Sequence, residues 1–253
     1  MKGSTKKIRK TQELLKGTGI NGCITGSSML DVDFDSWADV PDVDVFVYNE
    51  PVLMNLADML EYRYDFTAAT DGEAWKLNRI RTMGFQKNAA LSTLKMKNDD
   101  GVIVNVTWKK GKTTMSSVLS SFDMSIIMLG WDIKHGFGQD LRTRDSAGVF
   151  DDPGHLWSDD PKVAVPNPLR DQDVDMYGAE MWIRQFDRVI KYWNRGFDTR
   201  KMAEFYIKLI NQVIDNGKLF QTEKADTAFG EFVKMYEPLR DKMVSWLKDK
   251  EEV

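Results

Sequence analysis

Apolar residues recur along this chain with two different periods, and the change between them divides it. Residues 9–16 read as a short helix closed by Gly17 and Gly19. Residues 21–25 form a short strand running into the small-residue turn Gly26-Ser27-Ser28. Residues 31–41 alternate acids with apolar residues up to Pro41 and read as an irregular excursion. Val43, Val45 and Val47 then mark a strand over 43–48, and Pro51 opens a helix carrying Val52, Leu53, Leu56, Ala57, Met59 and Leu60 at helical spacing. Residues 75–96 show neither period clearly. The strongest strand is 102–108, followed by a Lys-Lys-Gly-Lys turn. Helical spacing predicts helices over 115–119 and 124–131, the latter through Met124, Ile127, Met128 and Trp131.

A Gly- and Pro-rich zone runs from 134 to about 173. Beyond it the period is helical throughout. Trp182, Ile183, Phe186, Val189, Ile190 and Trp193 form one stripe. Thr199 is placed to cap a second helix ending at Asn216-Gly217, and 225–249 forms a third segment with a break expected at Pro238. The expected organisation is α+β: a mixed unit over 1–150, a loop-rich connection over 151–172, and a helical bundle over 173–253.

Composition narrows this little. Hydrophobic residues at 42% and charged residues at 29% suit a globular chain and argue against disorder. One cysteine and two histidines cannot build a disulfide framework or a Cys/His zinc cluster. The basic N-terminus lacks the apolar core of a signal peptide, and no run approaches the roughly 18 apolar residues of a membrane span. A reducing, cytoplasmic setting without membrane contact is expected.

Charge changes the picture more. Residues 31–50 hold seven acids and no base, whereas 76–112 hold nine bases against Asp99 and Asp100. These are either two solvated faces or the two halves of a site for divalent cations and a phosphorylated ligand. Asp42 and Asp44 sit at i and i+2 of a strand, so both carboxylates leave the same face, roughly 6–7 Å apart along the backbone. They can converge on Mg²⁺, with Mn²⁺ as an alternative, because magnesium takes one or two protein carboxylates and completes its shell with water and phosphate oxygens. Asp-x-Asp alone is a common pattern and equally describes solvated strand-end acids; the chain has others at 31–33, 33–35 and 173–175. What distinguishes this one is Gly26-Ser27-Ser28, sixteen residues before Asp42, a turn whose backbone N–H groups and hydroxyls can cradle phosphate.

The order strand, Gly-Ser turn, excursion, Asp-Val-Asp strand and Pro-led helix resembles the nucleotidyltransferase superfamily of DNA polymerase beta, the CCA-adding enzymes and the bacterial poly(A) polymerases. The spacer is slightly long for that family. Residues 121–128 (SFDMSIIM) resemble the Arg-Arg-Asp-Phe-Thr-Ile-Asn-Ala segment of the class II CCA-adding and poly(A) polymerase head, with Phe122 in place of the arginine and Ile127 in place of the asparagine. Asp132 followed by residues 136–141 is similar to that group's Asp…Gly-Gly-x-x-Asp-Leu. Residues 188–197 faintly resemble its neck helix, whose base-selecting Glu-Asp-x-x-Arg is unmatched here, since 180–184 lack the Asp. The chain is also similar to nucleotidyltransferase-like proteins encoded by large DNA phages, which would place it in a host cytoplasm.

The resemblance implies a small mixed sheet flanked by helices and Mg²⁺-dependent transfer of a nucleoside monophosphate from an NTP to an acceptor. The acceptor would be an RNA 3′ end, with a protein or a small molecule as alternatives. It makes Asp42 and Asp44 the catalytic, metal-binding acids and Gly26, Ser27 and Ser28 the phosphate cradle. Asp123 becomes a ribose acceptor or, on its residues alone, a helix cap. Arg184 and Arg188, with Lys191, Arg195 and Arg200, contact the nucleotide or acceptor, or simply form a solvated helix face. Many members carry a third carboxylate where this chain has Asn105. Either two acids suffice, or the chain is an inactive module that binds nucleic acid or a host protein.

Overall fold

The computed structural model describes residues 3–34, 42–68, 78–81, 90–143, 147, 157–167, 179–219 and 226–251. In chain order these form α1 (Gly3–Leu15), β1 (Gly22–Thr25), α2 (Ser27–Phe34), β2 (Val43–Val47), α3 (Glu50–Tyr64), β3 (Thr67–Ala68), β4 (Asn78–Arg81), β5 (Ala90–Lys97), β6 (Ile103–Lys109), α4 (Met115–Leu119), β7 (Leu129–Asp132), β8 (Gly138–Asp140), α5 (Ala179–Trp193), α6 (Arg200–Leu219) and α7 (Asp226–Glu251). The architecture is α+β, as expected.

The strands make one mixed sheet in the order β3-β5-β6-β2-β1-β7-β8, with β4 sharing the outer edge of β5. Only β2 and β6 run parallel among the described pairs. Alternation decides the two faces. Val43, Val45 and Val47 of β2, Val104 and Val106 of β6, and Leu94 and Met96 of β5 are buried against Leu53, Leu56, Ala57 and Leu60 of α3. Each such leucine contributes about 2 kcal/mol by leaving water. Pro51 sits in the first turn of α3, as expected, and Asp65 ends the helix with a left-handed φ of 53°.

The opposite face is divided between two coverings. Met115, Val118 and Leu119 of α4 pack over Cys23, Tyr48 and Met128. The C-terminal helices form their own core, with Phe186, Val189, Tyr192, Met202, Tyr206, Ile210, Tyr236 and Met243, which takes in Leu30 of α2 and Met124, Ile126 and Ile127. A strap at 157–167 stitches these parts together. Ser125 N donates to Val165 O, Ala164 N to Asp198 O, and the side chain of buried Asn167 to the carbonyls of Ser120 and Phe122.

Several expectations change. The first helix begins at Gly3, well before residue 9. The excursion is helical as far as Phe34, because α2 starts directly at Ser27; residues 35–41 lie outside the described residues. Residues 124–131 are not a helix. Ser125–Ile127 is a single 3₁₀ turn, and Leu129–Asp132 is β7, paired with both β1 and β8. Met124, Ile126, Ile127 and Met128 are all buried, so the apparent stripe was burial on every side, and strand pairing won. Thr199 does not cap with its hydroxyl, which donates to Val189 O; Asp198 Oδ1 receives Arg200 N instead. α6 runs past Gly217 to Leu219, and α7 runs through Pro238. Pro238 removes one helical hydrogen bond, but Tyr236, Leu239 and Met243 on either side are held in the core.

Candidate active site

β1 and β2 deliver the site. Thr25 pairs with Asp44, so the turn at Gly26 begins beside that acid. Gly26 has a φ of +78°, and a Cβ added there would lie 2.6 Å from Asp44 Oδ2. Only glycine allows this backbone to close on the carboxylate. The parallel β2–β6 pairing sets Asn105 opposite Asp44. The Asn105 amide nitrogen then donates to Asp42 Oδ2 at 2.6 Å and to Asp44 Oδ1 at 3.1 Å. Asp42, Asp44, Asn105 and the Gly26 turn therefore meet at one point.

Charge at that point is under-compensated. Burial pushes Asp44 up to about 6; the Asn105 hydrogen bond opposes this, and neighbouring Asp42 adds to it. The cations that act on Asp44 are Lys191 and Arg188, both from α5. Lys191 is itself pushed down, by desolvation first and by Arg195 and Arg188, while Asp42 and Asp44 pull it back up. A helix of the C-terminal bundle thus supplies the cations whose charge acts on the acid pair.

The remaining candidates fall in three places. Ser28 is fully buried and donates its hydroxyl to Thr25 O at 3.0 Å, whereas the Ser27 hydroxyl has no hydrogen bond among the described residues. Asp123 does not cap a helix. Its Oδ2 receives Arg188 Nη1 at 2.5 Å and Tyr206 O–H at 3.5 Å, tying the turn before β7 to α5 and α6. That pair is 13% exposed on the acid and 34% on the base, and the Asp123 charge helps hold Arg188 protonated against its burial. Arg195 packs over the Tyr192 ring at 5.6 Å, Arg200 pairs with Asp198 at 2.6 Å, and the Arg184 side chain lies outside the described residues. The sequence marks Asn105 where relatives carry a third carboxylate and Lys191 on a basic helix face, but the contact of Asn105 with both acids depends on the parallel β2–β6 pairing, and the action of Lys191 on them on a helix roughly 150 residues further along.

The donor set fits a hard divalent cation. Two carboxylates and an amide converge, and a half-turn of the Asn105 amide presents its oxygen where its N–H₂ now points. No cluster of three or more Asp, Glu, His or Cys exists among the described residues, so the set is limited to these two acids.

No curated protein matches the chain. Among solved structures, the Thermotoga maritima CCA-adding enzyme complexed with tRNA aligns at 14% identity and a TM-score of 0.45, over 85% of this chain and 44% of that one. A CCA-adding enzyme in apo form I aligns at 11% identity and a TM-score of 0.40, over 86% and 43%. The chain spans less than half the length of either. No described helix is long and apolar enough to cross a membrane. Residues 4–80, which hold the glycine turn and both acids, match the family model described as nucleotidyl transferase of unknown function (DUF2204).

Proposed function

We propose that this chain transfers a nucleoside monophosphate from an NTP to an acceptor, with an RNA 3′ end as the acceptor. The observation that carries the reading is the convergence of Asp42, Asp44 and Asn105 against the Gly26 backbone. The match of residues 4–80 to a nucleotidyl transferase family supports it.

Asp42 and Asp44 would hold Mg²⁺, or Mn²⁺, with the Asn105 amide oxygen as a further neutral ligand. When bound, the ion supplies charge neutralisation at the triphosphate and acidifies the attacking hydroxyl. The chain's own residues do the rest. Ser27 and the backbone N–H groups at the start of α2 take β- and γ-phosphate oxygens. Lys191 and Arg188 balance the charge that builds on the leaving pyrophosphate. Gly26 holds the turn close enough for acids and phosphates to share one point. The Arg188–Asp123–Tyr206 tie keeps α5 at the correct distance. Transfer of this kind depends on positioning and charge neutralisation more than on a dedicated base.

The test is incubation of the protein with each labelled NTP, Mg²⁺ or Mn²⁺, and RNA, protein or metabolite fractions. Label should pass to RNA and vanish in Asp42→Asn with Asp44→Asn. NTP binding that survives loss of both acids, without transfer, would instead support an inactive binding module. That second reading draws on the Asn105 amide, which already occupies both carboxylates.

A further inference from the structure

The register that joins Asp44 to Asn105 continues one strand further. Lys95 of β5 pairs with Asn105 of β6, and Asn105 with Asp44 of β2, so the three side chains leave one face in a row across the sheet. Two residues along β5 in either direction, Lys97 and Thr93 stand on the same side, and Thr93 Oγ1 lies 3.1 Å from Thr107 Oγ1 of β6. Leu94 and Met96, between them, are buried with α3 on the opposite face. The lysines therefore occupy the side that α3 does not cover.

Both lysines are exposed, and neither has an ion pair among the described residues. Asp100, an acid close to them in sequence, is paired with Lys10. Apart from half-buried Ile103 and Phe46, the described residues on this face of β5, β6 and β2 near the acids offer amines, hydroxyls, carboxylates and an amide rather than apolar surface. At roughly 4.8 Å per strand, the Lys95 backbone lies about 10 Å from that of Asp44, leaving room for a terminal nucleoside between them.

We propose that Lys95 and Lys97, with the half-buried Thr93 hydroxyl that Thr107 holds in place, bind the last phosphodiester groups of a single-stranded polynucleotide acceptor whose 3′ end reaches the acid pair. This rests on the transfer reading above and specifies its acceptor side. A polyanion is repelled by Asp42 and Asp44, and the two lysine amines of β5, two strand spacings away, supply the opposing attraction. Lys95 and Lys97 hold the strand and touch no reacting atom.

The experiment is direct binding of a labelled single-stranded oligoribonucleotide to the full chain across a salt series. Wild type is compared with Lys95→Gln/Lys97→Gln, Lys95→Arg/Lys97→Arg and Asp42→Asn/Asp44→Asn. The Gln pair is expected to weaken binding about tenfold and to flatten the slope of log affinity against log salt by about 1.4, two phosphate contacts at about 0.7 each. The Arg pair restores the slope, and the Asn pair leaves it intact. An unchanged slope in the Gln pair, or no binding by wild type, overturns the proposal. Mg-NTP binding, measured separately by calorimetry, is untouched by the Gln pair. Its absence in wild type would count against the transfer reading alone.

Discussion

Two polar clusters sit on the same face of the sheet, two residues apart along its register, and they are built on opposite principles. Asp132, beside Cys23 on β7, is buried and hydrogen-bonded throughout. It accepts from the His135 backbone N–H at 2.7 Å, contacts His135 Nδ1 at 2.9 Å and lies 3.4 Å from Tyr48 O–H. Around it, burial pushes the Cys23 thiol up to about 12 and the Tyr48 hydroxyl further still, so both stay neutral. Asp44, two residues along the register, has a second acid for a neighbour, an amide for a donor, and cations that act on it only through space from α5. The difference lies in the covering: α4 closes over the first cluster, and α5 faces the second with charge. Satisfied burial reads as structure, and under-compensated burial reads as a place prepared for a ligand.

Substitution separates the two most sharply. Asp44→Asn is expected to abolish transfer, losing several kcal/mol of transition-state stabilisation or about 10³-fold in kcat/KM. It should at the same time leave the neutral-pH melting temperature unchanged or raised. Asp132→Asn should do the reverse, costing about 1–3 kcal/mol in denaturant unfolding while Mg-NTP binding persists. If both variants lose stability alike, the contrast is gone.

The pH dependence of stability in chelator sharpens the contrast. Asp44 has a folded pKa of about 6 against an ordinary value near 3.8, so the folded protein binds the proton more tightly. Below about pH 4 both states are protonated and no penalty exists. Between about 4 and 6 the unfolded chain ionises first, so stability falls as pH rises. Above about 6 the penalty is complete, at most about 3 kcal/mol. That decline should disappear in Asp44→Asn and shrink on adding Mg²⁺, as read by melting temperature across the pH series. Gly26→Ala comes next. A left-handed φ and a Cβ 2.6 Å from Asp44 Oδ2 should cost about 1–2 kcal/mol and displace the acid, seen as weaker Mg-NTP binding. Asn105→Ala is the mildest, reducing metal affinity about tenfold by calorimetry.

Much of the acid pair was legible in the chain itself. Alternating valines place Val43, Val45 and Val47 inside and therefore Asp42 and Asp44 together outside, a local argument that needs no partner. The Gly-Ser turn was legible as a turn but not as the wall of Asp44, which requires the β1–β2 register. Asn105 could be noticed as a missing acid, yet its double hydrogen bond depends on a parallel pairing that no local pattern specifies. Residues 124–131 misled because a segment buried on all sides mimics a helical stripe. Asp123 misled differently: its partners, Arg188 and Tyr206, come from helices much later in the chain.

The strand order carries a practical warning. β1 and β2 are central, and their outer neighbours, β7 and β6, come from beyond residue 100. A fragment stopping at residue 80 would keep the glycine turn and both acids but present two naked hydrogen-bonding edges to solvent, a template for self-association rather than a miniature enzyme.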